Sequence, residues 1–239
     1  MMALGSHSRP ASRDVGRSSL TRPSAALSGG GRGASPAAIG ASALERSRLY
    51  SEELGIDLAK GGDRAYFLWF LASLLFGGHI SETIARNTYR AFVRHRLTTP
   101  RRILAAGWDF LVNPIMREGG YVRYDSRKSD QVLRDCQTLI DGYGGSLTRL
   151  HDAARHARDL EQRLLAFYGV GPITANIFLR ELRPFWAKAD PEPLPIVRQM
   201  AGRLGIDLGA CKRKSLRFVR LEAGLVRLRR TAGRGRGSR

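Results

Sequence analysis

The sequence predicts an all-α fold, and three observations carry that reading. Every strong hydrophobic periodicity after residue 44 has the helical repeat, no stretch alternates cleanly at period two, and breaks such as Gly142-Tyr143-Gly144-Gly145 separate neighbouring stripes. Helices are expected near 44–57, 62–77, 81–96, 99–106, 108–117, 127–142, 147–155, 158–168, 172–183, 193–203 and 212–230. Ser81 before Glu82 supplies a side-chain cap for one of them, and Thr99 before Pro100 starts another with proline in the first turn. The most apolar run, Ala65 to Phe76, is too short to cross a bilayer, which takes about 20 residues, and reads as a helix buried at the domain centre.

The most informative segment is Leu165 to Asn176. A stripe of Leu160, Leu164 and Phe167 leads into Gly169-Val170-Gly171, and a second stripe of Ala175, Phe178, Leu179 and Leu182 leads out. Two helices joined this tightly call for glycines with positive φ, and Pro172 suits a first helical position. The start of the second helix then aims free N–H groups and the positive end of a dipole outward, which favours a phosphate.

Gly169-Val170-Gly171 followed by Thr174-Ala175-Asn176 resembles the helix-hairpin-helix of the endonuclease III-type DNA glycosylases. The resemblance extends from the Ala65–Phe76 run through Tyr124-Asp125-Ser126 to about Leu204 and leaves out both tails. It implies two helical subdomains flanking a cleft, with the hairpin at its lip. It also implies duplex DNA as partner, held through Gly169, Val170, Gly171, Ile173 and Thr174, with Lys128 and Lys188 as further phosphate contacts. Asp190 lies at about the spacing of the family's catalytic aspartate. A carboxylate there would stabilise the positive sugar as the glycosidic bond of a flipped nucleotide breaks. Without the family, Asp190 before a proline-rich turn reads as an ordinary helix cap.

Departures from the pattern matter as much. The position of the hairpin lysine that attacks the sugar in bifunctional members is Ile173, which cannot be a nucleophile, so AP-lyase chemistry is not expected. Lys188 is the one nearby amine, and reads otherwise as a phosphate contact or a solvated side chain. Gly78 stands where many relatives place a wedge glutamine; His79 beside it would fill the gap or is plain polar surface. Tyr124 matches a pocket tyrosine or is a core residue with a satisfied hydroxyl. Two functions follow from the resemblance: a monofunctional base-excision glycosylase using Asp190, or a non-catalytic DNA-binding protein that kept the grip.

Composition bounds the rest. The net charge of +19 is concentrated in the ends. Residues 1–43 hold five arginines against Asp14, and residues 212–239 hold eleven Lys/Arg against Glu222, which leaves +5 for the domain at 44–211. The first segment is rich in Ser, Ala, Gly and Arg and is expected to be disordered, overlapping in composition with an organellar transit peptide. The last is expected as a basic amphipathic helix with a disordered Gly-Arg tail. Two cysteines, Cys136 and Cys211, suit a reducing cytosol and are too few for a four-cysteine iron–sulfur cluster. No cofactor, no metal and no membrane association are expected, and the protein is expected to act as a monomer.

Overall fold

The structure, a computed structural model, describes residues 36–234, and among them every regular element is helical. In chain order these are α1 (Pro36–Leu44), α2 (Tyr50–Glu53), α3 (Asp63–Phe76), α4 (Glu82–Arg94), α5 (Pro100–Phe110), a π-helical segment (Leu111–Met116), α6 (Arg117–Gly119) and α7 (Asp125–Tyr143). They continue as α8 (Leu147–Ala153), α9 (Ala157–Leu165), α10 (Pro172–Leu182), α11 (Pro195–Arg203) and α12 (Leu216–Arg234). The all-α expectation therefore holds, and among the described residues no helix is long and apolar enough to cross a membrane.

The element boundaries show which local signals decided. Ser81 and Thr99 cap α4 and α5 through hydrogen bonds from Ile84 N (3.2 Å) and Arg102 N (3.3 Å). Of the helix expected over 44–57 only the single turn α2 and Leu44 at the end of α1 are helical, because the chain between them is extended at Leu49 and Leu49 N donates to the Glu52 carboxylate. Gly107, at φ 76°, breaks the helical path inside α5 where the sequence suggested a gap. Helix α1 lies partly inside the segment expected as a tail, while the expected disorder of residues 1–35 falls outside the described residues.

Two apolar clusters organise the packing. The larger joins α2 to α10 around Trp69, Phe70, Phe92 and Phe178, with Trp69 Nε1 donating to Phe178 O at 3.0 Å and so fixing α3 against α10. The smaller gathers Val197, Met200, Phe218, Leu221 and Leu225 from α11 and α12. Helix α12 serves both, since its Val219 and Ala223 belong to the larger cluster. Three of its arginines are engaged within the protein: Arg217 with Glu45, Arg220 with Glu52 and Arg227 with Glu53.

Candidate nucleic-acid interface

Helix α9 runs through a five-residue turn to Gly171, the N-cap of α10. Leu160, Leu164, Phe167 and Val170 are buried on one side of the junction, and Ala175, Phe178, Leu179 and Leu182 on the other. Gly171 provides no side-chain cap, Pro172 takes the first helical position, and Gly171, Pro172 and Ile173 are exposed. The first N–H groups of α10 have no intrahelical acceptor. They stand at the positive end of the helix in an accessible position.

The glycines fill their places for a different reason from the one expected. Neither has a left-handed backbone; Gly171 has φ −94°. Gly169 is required by close approach: its N–H donates to Asp135 Oδ1 at 3.0 Å, and a Cβ there would sit 2.4 Å from Asp135 Oδ2. Gly171 has open space around it instead. Asp135 is buried in mid α7, and loss of water raises its carboxyl to about 6 despite the Gly169 hydrogen bond and nearby Lys128.

Several side chains expected to meet phosphate turn inward. Lys128 is buried, its Nζ donates to Leu74 O at 3.1 Å, and burial lowers its ammonium to about 8. The Thr174 side chain is buried against Gly77, where a Cβ would lie 2.0 Å from Thr174 Oγ1, so only its backbone N–H remains for a ligand. Val170 likewise serves the core. Lys188 closes the end of α8, donating to His151 O (2.8 Å) and Asp152 O (3.1 Å). His79 is exposed, and a Cβ on Gly78 would lie 3.3 Å from the Tyr121 hydroxyl. Tyr124 is exposed with a left-handed backbone (φ 65°) at the N-cap of α7, not a core residue. Tyr168, in the turn itself, is exposed and carries the Arg134 guanidinium 4.5 Å over its ring.

Asp190 is neither a helix cap nor a free carboxylate. The N-cap of α11 is Leu194, and Asp190 Oδ1 instead receives Arg213 Nε at 3.0 Å and lies 3.1 Å from Arg183 Nε. Arg183 is fully buried and also pairs with Glu222, while Arg213 reaches Glu192 at 2.8 Å. Burial raises the Glu222 carboxyl, and the arginine opposes that shift.

Next to the hairpin lies a pocket of about 220 Å3. Its apolar walls are Phe76, Ile173, Ile177, Leu194, Ile196 and Val226, which come from α3, α10, the α11 entrance and α12. Tyr50, Glu82, Arg180 and Arg229 complete its lining. Asp190 is not on its wall; Glu82, paired with Arg86 at 3.3 Å, is the carboxylate that is. Arg180 and Tyr50 are buried, and Arg180 Nε, Arg180 Nη1 and the Tyr50 hydroxyl have no hydrogen-bond partner among the described residues.

Sequence reasoning missed three of these residues. Ile173, Ile177 and Arg180 follow i, i+4, i+7 spacing, so a cation on an apolar helical stripe was visible. Asp135 is the same kind of signal, an acid within the Val132, Cys136, Leu139 stripe of α7. Tyr50 had no local signature, since α2 is a single turn whose placement depends on distant partners. No family model, curated protein or solved structure matches the chain.

Proposed function

We propose that this protein binds double-stranded DNA in the manner of a helix-hairpin-helix glycosylase, gripping the backbone at the start of α10 and offering the adjoining pocket to a base turned out of the stack. The observation that carries this reading is the uncapped, exposed N-terminus of α10 standing beside the pocket that Ile173 helps to line. Phosphate held by backbone N–H groups and a helix dipole is bound without regard to sequence. Turning a base out costs a few kcal/mol, so the pocket must return that energy in contacts. The larger and smaller cores, meeting where the pocket opens, support the expected pair of helical subdomains around a cleft. The protein acts as a monomer in a reducing compartment.

Binding without hydrolysis through Asp190 is the better-supported chemistry. Two guanidiniums already neutralise that carboxylate, which leaves little negative charge for a developing sugar cation. A second reading, a monofunctional glycosylase, is favoured by Glu82, a carboxylate on the pocket wall. With Ile173 at the lysine position, such an enzyme would use water and leave intact abasic strands.

The test is duplex affinity by fluorescence anisotropy, alongside base release from a panel of single-lesion duplexes. Gly171→Asp, at a position where an added Cβ meets no neighbour within 4 Å, is expected to weaken binding by about tenfold or more at moderate salt while helical content stays unchanged. Unchanged affinity would refute the grip. Base release that survives Asp190→Asn and disappears in Glu82→Gln would establish the second reading.

A further inference from the structure

We infer that the end of α4 farthest from the hairpin, together with the start of α5 and Phe110, forms a second surface, one that takes single-stranded DNA with phosphates on its arginines and a base on the Phe110 ring. Glu82, the first residue of α4, lines the pocket that Ile173 borders, and the 13 residues of the helix carry the chain about 18 Å away from it. The surface therefore stands apart from the hairpin, and only the choice of DNA over RNA rests on the duplex-binding reading.

Cations crowd this end, and few of them serve the fold. Residues 90–118 hold six arginines against Asp109 and Glu118, which is +4 of the +5 carried by residues 44–211. Glu118 is already engaged, by Arg94 at 2.5 Å and His95 at 2.8 Å. Arg90, Arg96, Arg101, Arg102 and Arg117 are exposed and pair with no carboxylate among the described residues. Arg96 is the most telling of them. It stands at φ 59° where α4 ends, with Arg96 N donating to Val93 O (2.9 Å) and Leu97 N to Phe92 O (2.8 Å). Helices closed by these two bonds usually place glycine at that position, because a side chain there is strained. A cation kept on a strained backbone, exposed and without a counter-charge, points to a partner outside the fold.

The neighbouring side chains narrow the class of partner. A groove of about 400 Å3 is lined by Leu97, Ala105, Ala106 and Phe110 together with His95, Arg96 and Arg102. Phe110 is 38 % exposed, and its ring makes a T-shaped contact with the His95 ring at 5.5 Å. An accessible aromatic ring that shares a groove with guanidiniums suits a nucleic-acid strand, which brings phosphates to the cations and a base to the ring. Only an unpaired base can cover that ring, which favours a single strand over a duplex. An acidic peptide would answer the charge and leave the ring without a stacking partner.

Trp108 supplies the probe. Of the three tryptophans, Trp69 and Trp186 are buried, whereas Trp108 is 44 % exposed and two residues from Phe110, within about 7 Å between Cα atoms. Oligothymidylate added to the full chain, at salt high enough to screen distant charge, is expected to bind and to quench tryptophan fluorescence. Oligoglutamate is expected to bind about tenfold more weakly and without quenching. Phe110→Ala is expected to weaken oligothymidylate by about tenfold. Arg96→Gln, Arg101→Gln and Arg102→Gln together are expected to weaken it by about tenfold or more and to make the salt slope shallower by about 2, with thermal stability near the parent value. These exposed positions cover the case in which the Phe110 variant fails to fold. Absence of quenching, affinity that survives both sets of changes, equal binding of oligoglutamate, or tighter binding of oligouridylate would overturn the inference. Gly171→Asp is expected to leave oligothymidylate affinity unchanged, and a loss there would assign the strand to the hairpin instead. If that variant keeps its duplex affinity while oligothymidylate still quenches, the hairpin grip fails and this surface stands.

Discussion

The carboxylate of Asp190 sits between one fully buried guanidinium and one partly exposed one, and its chemistry follows from that company. If it acted on a sugar, Asp190→Asn would remove turnover and leave stability almost untouched. The ion-pair geometry predicts the reverse. Asparagine takes from the buried Arg183 one of its two carboxylate partners, Asp190 and Glu222, so stability is expected to fall by about 1–3 kcal/mol, with duplex affinity unchanged. Chemical denaturation and anisotropy on the same preparation check both halves. Spacing from the hairpin brought Asp190 to notice, and spacing cannot say what lies beside a side chain. Arg183 comes from the end of α10 and Arg213 from the approach to α12, so the cluster exists only once those segments meet.

At the scale of the element, the hairpin is positioned by α7 as much as by its own turn. Asp135 accepts from Gly169 N at a cost, because its ionised form is buried and its pKa stands at about 6 rather than the ordinary 3.8. The folded protein therefore keeps a proton that the unfolded chain releases between about pH 4 and 6. Stability contributed by the protonated form is full below about 4 and is lost as pH rises through 6, an effect of roughly 2–3 kcal/mol. Asp135→Asn, which keeps the acceptor and drops the charge, is expected to flatten that part of the stability–pH curve. A slope identical to the parent protein in pH-resolved thermal melts would contradict this account. Helix identity was readable because caps and apolar stripes are local signals, as Ser81 and Thr99 show. The reason for Gly169 was not, since the atom that forbids a side chain there belongs to a helix 34 residues away.

For the whole molecule, the uneven charge separates grip from attraction. Residues 1–35 hold five arginines against Asp14, a net charge of +4, whereas Arg217, Arg220 and Arg227 of α12 are held in ion pairs. Removing residues 1–35 is expected to make the slope of log affinity against log salt shallower while thermal stability stays the same. Matched salt titrations decide it; an unchanged slope would show that the segment takes no part. Cutting before α12 is a different experiment, because Phe218, Leu221 and Leu225 are core residues and the fold goes with them. The sequence showed an amphipathic basic helix there but not the carboxylates its arginines would find, which come from the other end of the chain.

Those long connections set the order in which the protein can be assembled as it leaves the ribosome. Tyr50 N and Ser51 N wait for Glu181, Ser47 O and Glu52 wait for Arg220, and Arg48 O and Glu53 wait for Arg227. The segment that holds Tyr50 is therefore fastened only after α12 has been made, and non-local closures of this kind are slow. Helices α3 to α10 can pack around the hairpin during synthesis, while the wall carrying Tyr50 takes its final place once Glu181, Arg220 and Arg227 have been made. A nascent chain thus completes the exposed start of α10 before it completes the pocket beside it.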